Sequence, residues 1–151
     1  MTFAELHASL RPGIKDAWGH FVIPGAGGYL SEEVYHALTL DRLALKDRMG
    51  EVFTRHGAHA LIFPTTPCTA PLVDHQVQFT VAGQEVDFRV LANNTIPASG
   101  AGLPGISLPI GLDDHHLPIG MELDGPEGQD RALLALAARV EKVLGAEMSK
   151  S

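Results

Sequence analysis

Several groups of residues in this chain have types that could do chemistry, and their spacing decides what each could do. Gly100-Ala101-Gly102-Leu103-Pro104-Gly105 fits the pattern G-x-G-x-x-G. A dinucleotide site needs a strand before such a run and a helix opening after it, so that the helix N-terminus faces the pyrophosphate. Here Pro104 and Pro109 bracket the β-like run Ile106-Ser107-Leu108, and no acidic residue stands at the ribose position of a βαβ unit. The glycines are therefore expected to allow a close backbone path and to hold no nucleotide. Ser99 and Ser107 are candidate nucleophiles by type, yet neither sits in G-x-S-x-G or at a strand-to-helix turn. A Ser-His-Asp set assembled from distant positions stays formally open. The eight histidines include no H-x-x-x-H pair, His115 and His116 are adjacent, and Cys68 has no second thiol. That is not the spacing of a zinc site. His56 and His59 flank an expected helix C-terminus, where a partly charged imidazole suits the dipole.

Two segments are harder to explain by composition alone. One is Phe63-Pro64-Thr65-Thr66-Pro67-Cys68-Thr69-Ala70-Pro71; the other runs from Asn93 to Gly111 and contains Asn94-Thr95-Ile96-Pro97-Ala98-Ser99 before the glycines. Both are rich in prolines, hydroxyls and small side chains. Proline restricts the backbone, and small side chains let the chain lie close against something else.

The elements that must position these segments follow from periodicity. Residues 3–10 read as a short helix that stops before Arg11-Pro12-Gly13, and the glycine-rich stretch 23–28 as a connection. A helix is predicted over about 31–57, with Ser31 as N-cap, Gly57 as C-cap residue and an apolar stripe of Leu40, Leu43, Ala44, Met49, Val52 and Phe53. The apolar run 60–63 reads as a strand covered on both faces. Residues 76–81 and 85–90 alternate around Ala82-Gly83-Gln84 and read as a β-hairpin. Strands are expected at 105–111 and 118–123, joined by the polar turn Asp113-Asp114-His115-His116. The segment 94–111 is expected to be a proline-stiffened loop running into the first of these. A final helix spans about 129–144, with Asp130 in its first turn, a stripe of Leu133, Leu136, Ala137, Val140 and Leu144, and Gly145 as its stop. Helices and strands in this order indicate an α/β class.

Composition narrows the function. The 151 residues are 45% hydrophobic and 19% charged, within the range of globular domains. Eleven basic and eighteen acidic residues leave a net charge of −7 with no basic run, a poor match to nucleic acid or an anionic membrane surface. A single cysteine allows no intrachain disulfide. The first ten residues lack the pattern of a signal peptide, and no apolar run approaches the about 18 residues that would span a bilayer. The expected location is the cytoplasm.

The small-residue segments resemble the C-terminal region of the amidase signature family. Members carry a strand ending in Pro-Thr-x-Pro, then Asn-Thr, a small-residue stretch into Gly-x-Pro and an aliphatic-Ser-Pro-x-Gly pattern, Leu-Pro-x-Gly, and a closing helix introduced by Asp. This chain has Pro64-Thr65-Thr66-Pro67, Asn94-Thr95, Gly102-Leu103-Pro104-Gly105-Ile106-Ser107-Leu108-Pro109-Ile110-Gly111, Leu117-Pro118-Ile119-Gly120, and Asp130 before Leu133-Leu134. The resemblance covers residues 40–145 well and the first forty loosely, so the whole of 1–151 reads as one partial amidase domain. Two positions depart from it: His59 stands where many members have Asp, and Ser99 where many have Asn. Ser99 with the glycines after it resembles the branch of indoleacetamide and mandelamide hydrolases.

The resemblance implies the C-terminal portion of that α/β fold, a mixed sheet flanked by helices with a β-hairpin. It also implies hydrolysis of a carboxamide, here an aryl-substituted primary amide, to carboxylate and ammonia with no metal or organic cofactor. The family's Ser-Ser-Lys machinery lies upstream of the matched region. No Ser-Ser pair occurs here, and Lys15, Lys46, Lys142 and Lys150 lack its motif context. No residue of this chain is therefore assigned a catalytic role. Thr95, Pro97, Ser99, Gly100 and Gly102 correspond to the pocket-side loop and are the expected substrate contacts. The implied partners are a small-molecule amide and an N-terminal amidase half. The alternative is a non-catalytic truncated chain or an interaction subunit completing such a half. Apolar strands with only two long helices to cover them predict exposed apolar surface and a tendency to self-associate.

Overall fold

A computed structural model describes residues 3–148 except Pro24 and Gln76. The chain divides into two compact units, Met1–Asp41 and Arg42–Ser151.

The first unit contains helices α1 (Phe3–Ser9) and α2 (Pro12–Val22), and helix α3 (Glu32–His56) carries the chain onward into the second. Periodicity and punctuation in the sequence give no α2, because Pro12 and Gly13 look like a break. Proline is tolerated at the first helical position, where its missing N–H would have had no partner. Pro12 takes that place after an extended Arg11. α3 starts where expected: the Ser31 hydroxyl accepts from Val34 N at 3.3 Å, with Glu32 and Glu33 in the first turn. It ends before Gly57, whose φ of +56° is in the left-handed region. Of its expected stripe, Phe53 is buried and Met49 half-buried, while Leu40, Leu43, Ala44 and Val52 are exposed.

The second unit is built on a three-stranded antiparallel sheet of β1 (Leu61–Pro64), β4 (Gly105–Leu112) and β5 (Pro118–Asp124) in the order β1-β5-β4. β2 (Gln78–Val81) and β3 (Gln84–Asp87) form the separate hairpin, joined by Ala82 and Gly83, both at positive φ as a two-residue hairpin turn requires. The expected second arm extends to residue 90. In the structure it stops at Asp87, whose carboxylate accepts from Arg89 N at 2.9 Å and caps a 3₁₀ turn over Phe88–Ala92.

α5 (Asp130–Met148) covers one face of the sheet. Leu133 and Ala137 pack with Leu108 and Leu123, flanked by Ile106, Met121 and Val140. Gly145 does not stop this helix, which continues to Met148; glycine weakens a helix interior by about 1 kcal/mol relative to alanine and does not forbid it. The opposite face carries Leu61, which packs with Phe53, Ala98, Ala101 and Leu103. β1 itself is an edge strand with alternating burial, and Ile62 is 60% exposed. Among the described residues it is thus covered on one face, not on both.

Candidate functional site

The two small-residue segments meet at the end of β1. Thr65 N donates to Gly120 O at 2.9 Å, continuing the β1–β5 ladder past Pro64. The hydroxyls of Thr65 and Ser107 hydrogen-bond to each other directly over Gly120. A Cβ at Gly120 would come within 2.8 Å of Thr65 Oγ1 and 2.9 Å of Ser107 Oγ, so only glycine leaves room for that bond. Asn94 Nδ2 donates to Pro64 O at 2.8 Å, fastening the second segment to the first across thirty residues of sequence. Beyond the strand, Thr66 Oγ1 donates to Cys68 O at 2.6 Å and Thr69 Oγ1 to Asp113 Oδ2 at 2.7 Å. The hydroxyls noted in the sequence are thus the fastenings of a loop that has no ladder of its own.

Asp113 organises the turn between β4 and β5. Its Oδ1 accepts from Leu117 N at 2.9 Å and His115 N at 2.8 Å. These bonds, the one from Leu117 foremost and with the Thr69 hydroxyl beside it, hold its carboxyl below the ordinary Asp value.

Residues 96–101 are not loop. They form a short helix, α4 (Ile96–Ala101), which corrects the expectation for 94–111. Pro97 presets a helical φ at its first turn, and Gly102 ends it at φ +71°, with Gly102 N donating to Ser99 O and Leu103 N to Ala98 O. Ala98 and Ala101 are buried in the core. A strand, not a helix N-terminus, follows Gly105, so the glycine run lacks the setting of a dinucleotide fingerprint.

Of the five expected contact residues, the structure brings Thr95 to a cavity. That cavity, about 500 Å³, is walled by Phe88, Leu91 and Ile96 with Thr66, Arg89, Asn93 and Thr95 at its polar margin. Thr95 Oγ1 also donates to Ala92 O at 3.2 Å. Pro97, Ser99 and Gly102 are exposed, Gly100 is half-buried, and none of these four lines that cavity. A second cavity, about 720 Å³, lies between the Cys68–Leu72 loop and the β2–β3 hairpin, with His75, Glu85 and His115 around it.

Two acidic residues have no place in the sequence-based expectations. Glu122 and Asp124 are 8% and 1% exposed, on one face of β5. Burial first, and then the neighbouring Glu122, push Asp124 up to about 6. The signal available in the sequence was an acid at alternate positions of an otherwise apolar strand.

The arrangement can position and hydrogen-bond a ligand. It offers no activated nucleophile among the described residues: the Thr65–Ser107 hydroxyl pair has no lysine or histidine bonded to it. Lys46 pairs with Glu127 at 3.0 Å, Lys15 and Lys142 lie on α2 and α5, and Lys150 falls outside the described residues. Among the described residues no helix is long and apolar enough to cross a membrane.

Comparison with known proteins gives this geometry a context. A family model described as Amidase matches residues 5–134. An indoleacetamide hydrolase of Allorhizobium ampelinum is 35% identical over 119 residues, 78% of this chain and 26% of that protein. A mandelamide hydrolase of Pseudomonas putida is 32% identical over 155 aligned positions, 96% of this chain and 29% of that protein. Among solved structures, the crystal structure of an amidase superposes with a TM-score of 0.72 at 26% identity, covering 92% of this chain and 30% of the other. The chain thus spans less than a third of the length of these relatives. A family match along most of its residues, and a fold shared with a solved amidase, establish that the chain belongs to the amidase family.

Proposed function

We propose that this chain is the substrate-facing, non-catalytic C-terminal part of an amidase that hydrolyses a carboxamide to carboxylate and ammonia through an acyl-enzyme. The nucleophile and base come from an upstream part carrying the family's Ser-Ser-Lys residues. The observation that carries this reading is the match over residues 5–134 in a sequence without any Ser-Ser pair. The substrate class is an aryl-substituted primary amide. Ser99 and the names of the two relatives support it, as does a cavity with Phe88, Leu91 and Ile96 for a flat apolar group and the hydroxyls of Thr66 and Thr95 for an amide. Thr95 is the first contact; Pro97, Ser99 and Gly100 follow it on α4, with Gly102 as the cap of that helix, on the side where the upstream part would complete the site.

A second reading has its own support. Ile14, Trp18, Phe21, Tyr35 and Leu38 are exposed on α2 and α3, and exposed large apolar side chains that form one patch mark a partner site. That exposure suits a chain that docks onto a separately encoded amidase half, or self-associates in its absence. The working location in either reading is the cytoplasm.

The test is a phenylacetamide titration followed by amide NMR, on the chain combined with an N-terminal amidase segment. Saturable shifts centred on Thr66, Arg89 and Thr95, and weakened at least several-fold by Thr95→Val, are the expected result. Shifts confined to other surfaces would rule out this cavity as the substrate site.

A further inference from the structure

Asp124 is the most deeply buried large side chain among the described residues, and its Oδ1 has no hydrogen-bond donor among them. Such a group is costly to leave as a bare carboxylate. Glu122, two residues earlier on β5 and on the same face, is also buried. Both acids lean over Gly105 of β4. A Cβ built there would meet Asp124 Oδ1 at 2.8 Å and Glu122 Oε1 at 3.0 Å, so the two oxygens lie no further apart than those distances added together. No ion pair among the described residues involves either acid.

Among the described residues, the strand partners on this face carry no charge. β1 places Leu61 and Phe63 opposite Asp124 and Glu122, and β4 places Gly105 and Ser107 there. The apolar cluster packed on Leu61 consists of Phe53 and Met49 from α3, Ala98 and Ala101 from α4, Ala58 and Leu103, and Glu122 is the one charged neighbour that displaces Asp124. Two like charges in such a setting cannot both persist without cost, whereas one carboxylic acid beside one carboxylate satisfies both groups, with the O–H of the acid donating to the carboxylate.

We propose that Glu122 and Asp124 act as one proton-sharing pair along β5, a pH-sensitive latch packed over Gly105 of β4. The latch sits where Gly125 N donates to Pro104 O at 2.8 Å, the point at which the segment carrying α4 is stitched to the sheet. The sign of the pH effect follows from the upward displacement of Asp124 to about 6. A raised acid gives stability that is fully present below its unfolded value of about 3.9 and is lost as pH rises through the folded value. Asp87 and Asp113, both displaced downward, act in the opposite sense and only at lower pH.

The test is carbon-detected NMR titration of the side-chain carboxyls of this chain, with denaturant unfolding at pH 4.5 to 7.5. One carboxyl is expected to titrate near pH 6, to vanish in Asp124→Asn and to move down in Glu122→Gln. Wild-type stability should fall across that range relative to Asp124→Asn. The histidines are common to both proteins and cancel in that difference. Two results would overturn the proposal: every carboxyl titrating below pH 5, or stability that rises with pH relative to Asp124→Asn, as for an ionised pair held by a cation. Should Asp124→Asn not fold, the Glu122→Gln titration decides alone, because an unmoved midpoint excludes coupling.

Discussion

Gly120 is where the two small-residue segments depend on one another. Without a side chain there, the Thr65 and Ser107 hydroxyls can meet above the backbone of β5. Gly120→Ala should force both hydroxyls apart and destabilise the chain by about 1–3 kcal/mol, the usual cost of overpacking a tight site. Urea unfolding checks this, and an unchanged midpoint would show that the hydroxyl bond holds nothing. At this scale the sequence was partly legible. Hydroxyls, prolines and glycines marked the right segments, but which hydroxyl meets which partner depends on register, and register is not written locally. Asn94 reaching Pro64 and Thr69 reaching Asp113 join residues 30 and 44 positions apart. Of the expected contact residues, Thr95 reaches the cavity because it precedes α4; Ser99, four positions on, follows the helix to its exposed side.

At the scale of elements, the strongly periodic segments were readable and those opened by proline were not. α5 shows why. Leu133 and Ala137 lie one turn apart and both enter the core with Leu108 and Leu123, so burial and period agree. Leu133→Ala should therefore cost about 2–5 kcal/mol, while Leu134→Ala, at an exposed neighbouring position, should cost little. Comparable losses from the two in urea unfolding would contradict the placement of α5 on the sheet. α2 and α4 were missed for a common reason: Pro12 and Pro97 would interrupt a helix in its interior but are accommodated in its first turn. β1 looked like a two-sided strand because its residues are uniformly apolar. The covered face holds Leu61 and Phe63, while Ile62 on the other face is 60% exposed.

For the whole molecule, the family was legible because five blocks of small residues stand in a fixed order, a longer-range signal than any periodicity. The chain matches the Amidase model over residues 5–134 and spans less than a third of its relatives. The central property proposed for it is that it shapes a substrate cavity and depends on another part for the chemistry. Covalent amide hydrolysis needs a nucleophile activated by a base, and among the described residues no such pair is assembled. The decisive measurement is ammonia release from phenylacetamide and indoleacetamide. It would compare this chain alone, an amidase segment carrying the family's Ser-Ser-Lys residues alone, and the two combined. Saturable release is expected from the combination and none from this chain by itself. Saturable release from this chain alone would contradict the division of labour proposed for the two parts.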